Sequence, residues 1–186
     1  AAAAVDALVQ HRFMFAASPD AFERLFAWSA LSICVFLILL SWFIEARTGA
    51  VRRGLLLGET ALLFVTAVLD FVLPSGLFAT MDVVSVRDAV LPWGETFSRP
   101  VGDASPLRLV GDLANIGFLV LLIDTALRLV RRDRLREAWV IGVSTLVLSL
   151  SVLAIIPTDL GLIDLPSLHP FAFLLIVAMM AWDLAE

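Results

Sequence analysis

Four carboxylates and one amide stand inside otherwise apolar stretches of this chain: Glu59, Asp70, Asp112, Asp124 and Asn115. Such side chains hold protons, cations or polar ligands. In an apolar surrounding they face an interior, because an acid at the centre of a bilayer costs about 2.5–3.5 kcal/mol on insertion scales. Asp70, Asp112 and Asn115 fall towards the same ends of two successive helical stretches. We expect them to line a polar ligand pocket there, with Trp93 and Glu95 of the intervening loop above it. The alternative for Asp70 and Asp112 is that they are helix-end residues solvated by lipid headgroups. Asp124 stands four residues before Arg128, the spacing of neighbours on one helix face, and an ion pair between them accounts for both. Glu59 lies six residues inside its helix, about 9 Å from the start. For it, pairing with Arg52 or Arg53 and a switching role are both open.

Other chemistry is excluded by residues the chain lacks. His11 and His169 are its two histidines, one towards each end, so histidines on facing helices cannot hold a haem. There is no lysine for a retinal Schiff base. A Gly-rich phosphate loop, an HExxH pair and a Ser/His/Asp set are all missing. The single cysteine, Cys34, lies in an apolar run and reads as a packing residue; one thiol makes neither an internal disulfide nor a thiolate zinc site. His169, between Leu168 and Pro170, reads as a solvated residue at a helix start. We expect no catalysis, no metal and no cofactor in this chain.

The elements that position the acids follow from composition. Hydrophobic residues make up 61% and charged residues 17% of the 186 positions, and the mean hydropathy is +0.98. Water-soluble domains carry about 45–50% apolar and about 25% charged residues, and one core in 186 residues cannot hide this much apolar surface. A bilayer can. The net charge of −5 and the lack of a basic face exclude nucleic acid as a partner. All thirteen basic residues are arginine, which points to a GC-rich, bacterial coding sequence.

Crossing about 30 Å of hydrocarbon takes about 20 apolar residues in a helix. Residues 24–46, 53–73, 109–130 and 138–156 meet that requirement, residues 170–186 nearly do, and residues 1–16 resemble part of a further helix. The expected architecture is an all-α integral membrane bundle of six helices, the first partial. Ser18-Pro19-Asp20 supplies a cap, a first-turn proline and an acid at the positive helix end. Pro74-Ser75-Gly76 and Pro157-Thr158-Asp159 stop helices, and Pro166 and Pro170 flank the last one. Gly54 and Gly58 form a GxxxG pattern, expected to serve close packing within the bundle rather than a dimer seam. The chain begins at Ala1 without a leader-like charged region and ends with a helix still running at Glu186. We expect both ends to be cut from a longer protein with seven helices.

Arginines set the orientation. Eight of them (Arg47, Arg52, Arg53, Arg128, Arg131, Arg132, Arg134 and Arg136) crowd two short turns, while Arg12, Arg24, Arg87, Arg99 and Arg108 are dispersed among acids. The two turns and the C-terminus are therefore expected in the cytoplasm of a bacterium, with the bundle in its inner membrane. Trp28 then falls near the outer interface and Trp42, Trp139 and Trp182 near the inner one, as amphipathic rings do. The external loop 74–108 is the longest non-helical stretch. Its valine-rich segment 82–90, the turn at Pro92-Trp93-Gly94-Glu95 and the return at 96–99 predict a small periplasmic β-hairpin over the outer mouth of the bundle.

Several stretches carry a resemblance when taken in order. They are Phe22-Glu23-Arg24-Leu25-Phe26-Ala27-Trp28, Leu69-Asp70-Phe71-Val72-Leu73-Pro74, residues 93–102, Ile123-Asp124-Thr125-Ala126 with the arginine turn after it, and the closing run 169–180. Together they resemble the N-terminal multi-helix, seven-transmembrane-type region of bacterial PAS-domain-containing sensor histidine kinases. The chain departs from that pattern at Asp70, where an amide-like residue is expected, and at Trp182-Asp183 after the Met pair. The resemblance implies that the last helix feeds a coiled linker and then PAS and kinase modules, and that the protein acts as a homodimer. It also implies a sensory input domain that passes a periplasmic or membrane signal from a small ligand to a cytoplasmic output. The other reading is a non-catalytic accessory subunit of a larger membrane complex, held by helix packing. Transport fits less well, because the halves show no inverted repeat and no helix is broken at mid-membrane.

Overall fold

The computed structural model describes residues 2–13, 18–72, 81–90, 94, 96–104, 108–153 and 169–185. It is mostly helical, in the order α1 (Ala2–Phe13), α2 (Pro19–Thr48), α3 (Arg53–Val72), β1 (Met81–Val90), β2 (Thr96–Ala104), α4 (Arg108–Arg131), α5 (Leu135–Leu153) and α6 (His169–Ala185). Each helix packs against the next in the chain, and α6 closes back on α1. Among the described residues two helices are long and apolar enough to cross a membrane, over Ala21–Thr48 and Leu109–Arg131, and Pro170–Trp182 is a shorter apolar helix.

α2, α4, α5 and α6 begin before the apolar spans that marked them, while α3 begins at Arg53 as expected. α2 starts at Pro19 because the Ser18 hydroxyl accepts the Ala21 N–H at 3.3 Å, which satisfies one orphan donor of the first turn. It ends at Gly49, whose left-handed backbone (φ 58°) turns its N–H back onto the Glu45 carbonyl at 2.8 Å. At 30 residues it is about 45 Å long, more than a bilayer's hydrocarbon needs, so its polar ends extend past the apolar part. α5 starts at Leu135 rather than 138, and the expected stretch 154–156 lies outside the described residues, as do 14–17, 73–80 and 186.

β1 and β2 pair antiparallel, Met81 against Ala104 through Val90 against Thr96, with a register shift between Val83 and Ser85. The return strand runs to Ala104, past the expected 99, and carries Pro100 opposite Val86. In a two-stranded ladder alternate N–H groups point outward, where proline is tolerated. Val86 packs against Phe22, as do Val9, Leu25 and Phe26, so the ladder sits at the start of α2, the end opposite the arginine turns.

The molecule is apolar on both sides of its helices. α4 buries Ala114, Phe118, Leu121, Leu122 and Leu129, while Leu109, Leu113, Ile116, Val120, Ile123 and Leu127, alternately four and three residues apart, are all about half exposed or more. The interior holds the polar groups instead: Ser29, Ser32, Ser41, Glu59, Thr66, Asp70, Thr125, Ser144, Thr145 and Ser151 are buried. The hydroxyls of Ser41, Thr66, Thr125 and Thr145 each donate to the carbonyl four residues earlier, at 2.7–2.9 Å, so they need no water. α2 reaches across the bundle as well, where Phe36 meets Phe173 of α6 with ring centroids 4.4 Å apart.

Candidate functional site

The seam between α3 and α4 carries the acids. Arg52, just before α3, pairs with Asp124 of α4 at 3.3 Å, and Arg128 pairs with the same carboxylate oxygen at 2.9 Å. The expected i,i+4 pair is therefore present with a second arginine added. Seven residues further along α3, and seven back along α4, Glu59 faces Gly117. The two helices thus run antiparallel in one register, with Arg52 over Asp124 and Glu59 over Gly117 two turns, about 10 Å, deeper.

Glu59 is 5% exposed and its Oε1 atom is buried without a hydrogen-bond partner. Pairing with Arg52 is corrected by this geometry, because that guanidinium is engaged by Asp124; Arg53 is exposed. A Cβ on Gly117 would fall on the Glu59 carboxylate, so the carboxyl group occupies the space that a side chain on α4 would fill. One residue on, Thr60 accepts the Trp42 indole N–H at 3.1 Å and ties α3 to α2.

Asp70 shares the inner face of α3 with Glu59. Leu56, Glu59, Leu63, Thr66, Ala67 and Asp70 are all buried, and eleven residues are three turns, so the two acids stand about 16 Å apart along one stripe. Cys34 of α2, fully buried, lies within electrostatic range of both. The residues expected to line a polar pocket differ in how far they are buried. Asp70 is interior, Asn115 half-buried and Asp112 exposed, because Asp112 lies towards the outer face of α4, between Leu109 and Leu113. Trp93 and Glu95, the loop members of that set, lie outside the described residues. Close packing by Gly54 and Gly58 is also corrected: both are exposed, and a Cβ on either meets nothing within 4 Å.

At the other end the two arginine turns touch. Arg132 donates to the Gly49 carbonyl at 3.1 Å and Arg134 to the Thr48 carbonyl at 2.6 Å, while Arg134 also pairs with Glu137. The Glu45 carboxylate accepts the Val51 N–H at 3.0 Å and braces the first turn. Beside them a small cavity of about 20 Å³, lined by Phe43, Ile44, Arg47, Thr48, Glu137, Val140, Ile141 and Met180, lies between α2, α5 and α6. Among the described residues no cluster of three metal-ligating side chains occurs. Sequence reasoning missed Gly117, since a glycine in an apolar helix carries no signal of what it faces. Comparison with family models, with curated proteins and with solved structures found no match.

Proposed function

We propose that this chain is a multi-pass, inner-membrane sensory input domain of a bacterial signalling protein, with its arginine turns in the cytoplasm. One observation carries the membrane placement: the helices present leucine, isoleucine, valine and phenylalanine outward while serine, threonine and two carboxylic acids are turned inward. A helix apolar on every face is at rest only in an apolar medium. The junction of the two arginine turns supports the orientation, because it gathers Arg52, Arg128, Arg132 and Arg134 at one end of the bundle, as inward-facing loops do. The signalling half rests on Glu59, a buried acid at a helix seam. Its Oε1 atom has no hydrogen-bond partner, and a signal acts by favouring one of two arrangements of the helices around it.

Two experiments test the two halves. In a Cys34→Ser background, Arg132→Cys is expected to resist a membrane-impermeant maleimide in intact spheroplasts and Gly94→Cys to react; the opposite pattern overturns the orientation. In membranes containing the intact protein, Glu59→Gln is expected to change phosphate incorporation from labelled ATP several-fold at equal protein. Unchanged incorporation, or none in either protein, overturns the signalling reading and leaves the accessory-subunit reading.

A further inference from the structure

We propose that Glu59 is a proton-binding site within the bundle, its carboxyl group held as the neutral acid against the backbone of α4 at Gly117. The inference rests on the membrane placement proposed above and deepens it by naming the proton as what the α3–α4 seam binds.

The geometry that singles out Glu59 has three parts. Its side chain is 95% withdrawn from the surface, and Oε1 has no hydrogen-bond partner. An ionised carboxylate so placed loses its hydration with nothing in return, whereas the neutral acid loses far less. Next, α4 makes room for this side chain, because Gly117 supplies no Cβ where the carboxyl sits. Finally, the surrounding charges are committed or uncharged. From α4, Asp124 is two turns away and held by Arg52 and Arg128. From α2 the nearby titratable group is Cys34, a buried thiol, and Glu45 lies at the far turn, accepting from Val51. On α3 itself, Asp70 is three turns away and Arg53 is exposed. No cation described in the structure pairs with Glu59, so the proton is the cation that suits it.

The same seam also carries charge. The Arg52–Asp124–Arg128 cluster lies two turns from Glu59 on the same seam, at the arginine-rich end. On losing its proton, the Glu59 carboxylate is drawn towards that positive cluster, and α3 and α4 must re-pack around the emptied cradle at Gly117. Proton binding and helix position are thereby linked.

Carbodiimides test this, since they add to a protonated carboxyl group. The acid proton passes to a carbodiimide nitrogen, the carboxyl oxygen bonds to the central carbon, and the O-acylisourea rearranges to an N-acylurea. No group leaves, so the protein gains the mass of one whole reagent. The intact protein in native membranes is treated with dicyclohexylcarbodiimide or with a water-soluble carbodiimide, and the adduct is located by peptide mass mapping. The expected result is an adduct on Glu59 from the hydrophobic reagent alone. Its initial rate should fall by about tenfold per pH unit above the midpoint of deprotonation, and Glu59→Gln should abolish it. Labelling by the water-soluble reagent, labelling at Asp70 with Glu59 untouched, or a yield that does not change with pH would each overturn the proposal. The readout needs no signalling output, so it fails separately from the phosphate-incorporation experiment, and maleimide labelling reports membrane orientation on its own.

Discussion

Gly117 of α4 lies where the Glu59 carboxyl group of α3 ends, so close that a single added methyl group would occupy the same space. The contact is between the end of a buried acid side chain and a helix backbone. Gly117→Ala is therefore expected to destabilise the bundle by about 1–3 kcal/mol, the usual range for an extra methyl in a filled site. Glu59→Ala in the same chain should relieve most of that loss. Denaturation in detergent, run as a double-mutant cycle, measures the coupling; a Gly117→Ala cost that persists in the Glu59→Ala background would show that the two side chains do not meet.

The Asp124 carboxylate holds two guanidiniums, and the three side chains are not equally sheltered. The Arg52 side chain is 57% exposed, that of Arg128 30% and that of Asp124 23%. Water screens such pairs, so each is worth about 1 kcal/mol or less. Asp124→Asn removes both pairs and leaves two like charges beside each other, and it is expected to cost more than Arg52→Ala. The excess should shrink as salt is raised, because these charges are partly solvated. No cost for Arg52→Ala at low salt would show that Arg52 does not reach Asp124, and equal costs for the two substitutions would show that Arg128 adds nothing to the pair.

The outer stripe of α4 separates lipid from water as the surrounding medium. Val120, in the middle of the helix, is 48% exposed. In water, Val120→Lys at such a position changes stability by about 0.5 kcal/mol or less. In a bilayer the same change costs about 2.5–3.5 kcal/mol at the helix centre. Expression followed by carbonate extraction is expected to show a large loss of the membrane-retained fraction for Val120→Lys, and little loss for Arg131→Lys at the end of the same helix.

These cases show what the order of residues disclosed and what it withheld. Where the helices lie was legible, because apolar runs of about twenty residues have one economical conformation in lipid and Ser18-Pro19 marks a start from chemistry alone. How each helix is rotated was not. Pattern reasoning finds the inner face of a helix from the contrast between apolar and polar sides; in α4 that contrast is weak, and in α3 polar residues (Glu59, Thr66 and Asp70) lie on the inner side. Gly54 and Gly58 were thus expected inside and are outside, Asp112 was open between a pocket and a solvated helix end and is exposed, and Gly117 gave no sign of facing Glu59. The Asp124–Arg128 pair was legible because it is local to one helix. The addition of Arg52 to it, which takes away one of the two arginines that could have paired with Glu59, comes from packing two helices together.

The turn between α2 and α3 is held by a glycine that the backbone requires. Gly49 has φ 58°, its N–H returns to Glu45, and its carbonyl accepts from Arg132. A β-branched residue in this left-handed conformation is strained by about 1–2 kcal/mol, whereas asparagine is the side chain that tolerates it best. Gly49→Val is expected to lower the melting temperature in detergent and Gly49→Asn to leave it nearly unchanged. If the two behave alike, the left-handed cap is not what shapes this junction.

Gly54 and Gly58 face outward from α3, with Leu57 exposed between them. Within one copy of the chain their lack of side chains serves no contact, since a methyl on either would meet open space. Gly54→Ala and Gly58→Ala should therefore leave the fold intact and, by helix propensity, stabilise an isolated bundle by up to about 1 kcal/mol each. Bulk tests the surface further. Gly58→Leu is expected to be as well tolerated as alanine in a bundle surrounded by lipid alone, because an outward leucine suits that medium. If another helix lies against this face, the same leucine separates the two backbones that glycine allowed to approach, and cross-linking in membranes would show a higher-order species in the unsubstituted protein that Gly58→Leu removes. Stability in detergent and cross-linking yield in membranes, measured on the same three variants, therefore report whether α3 ends its contacts at lipid or at protein.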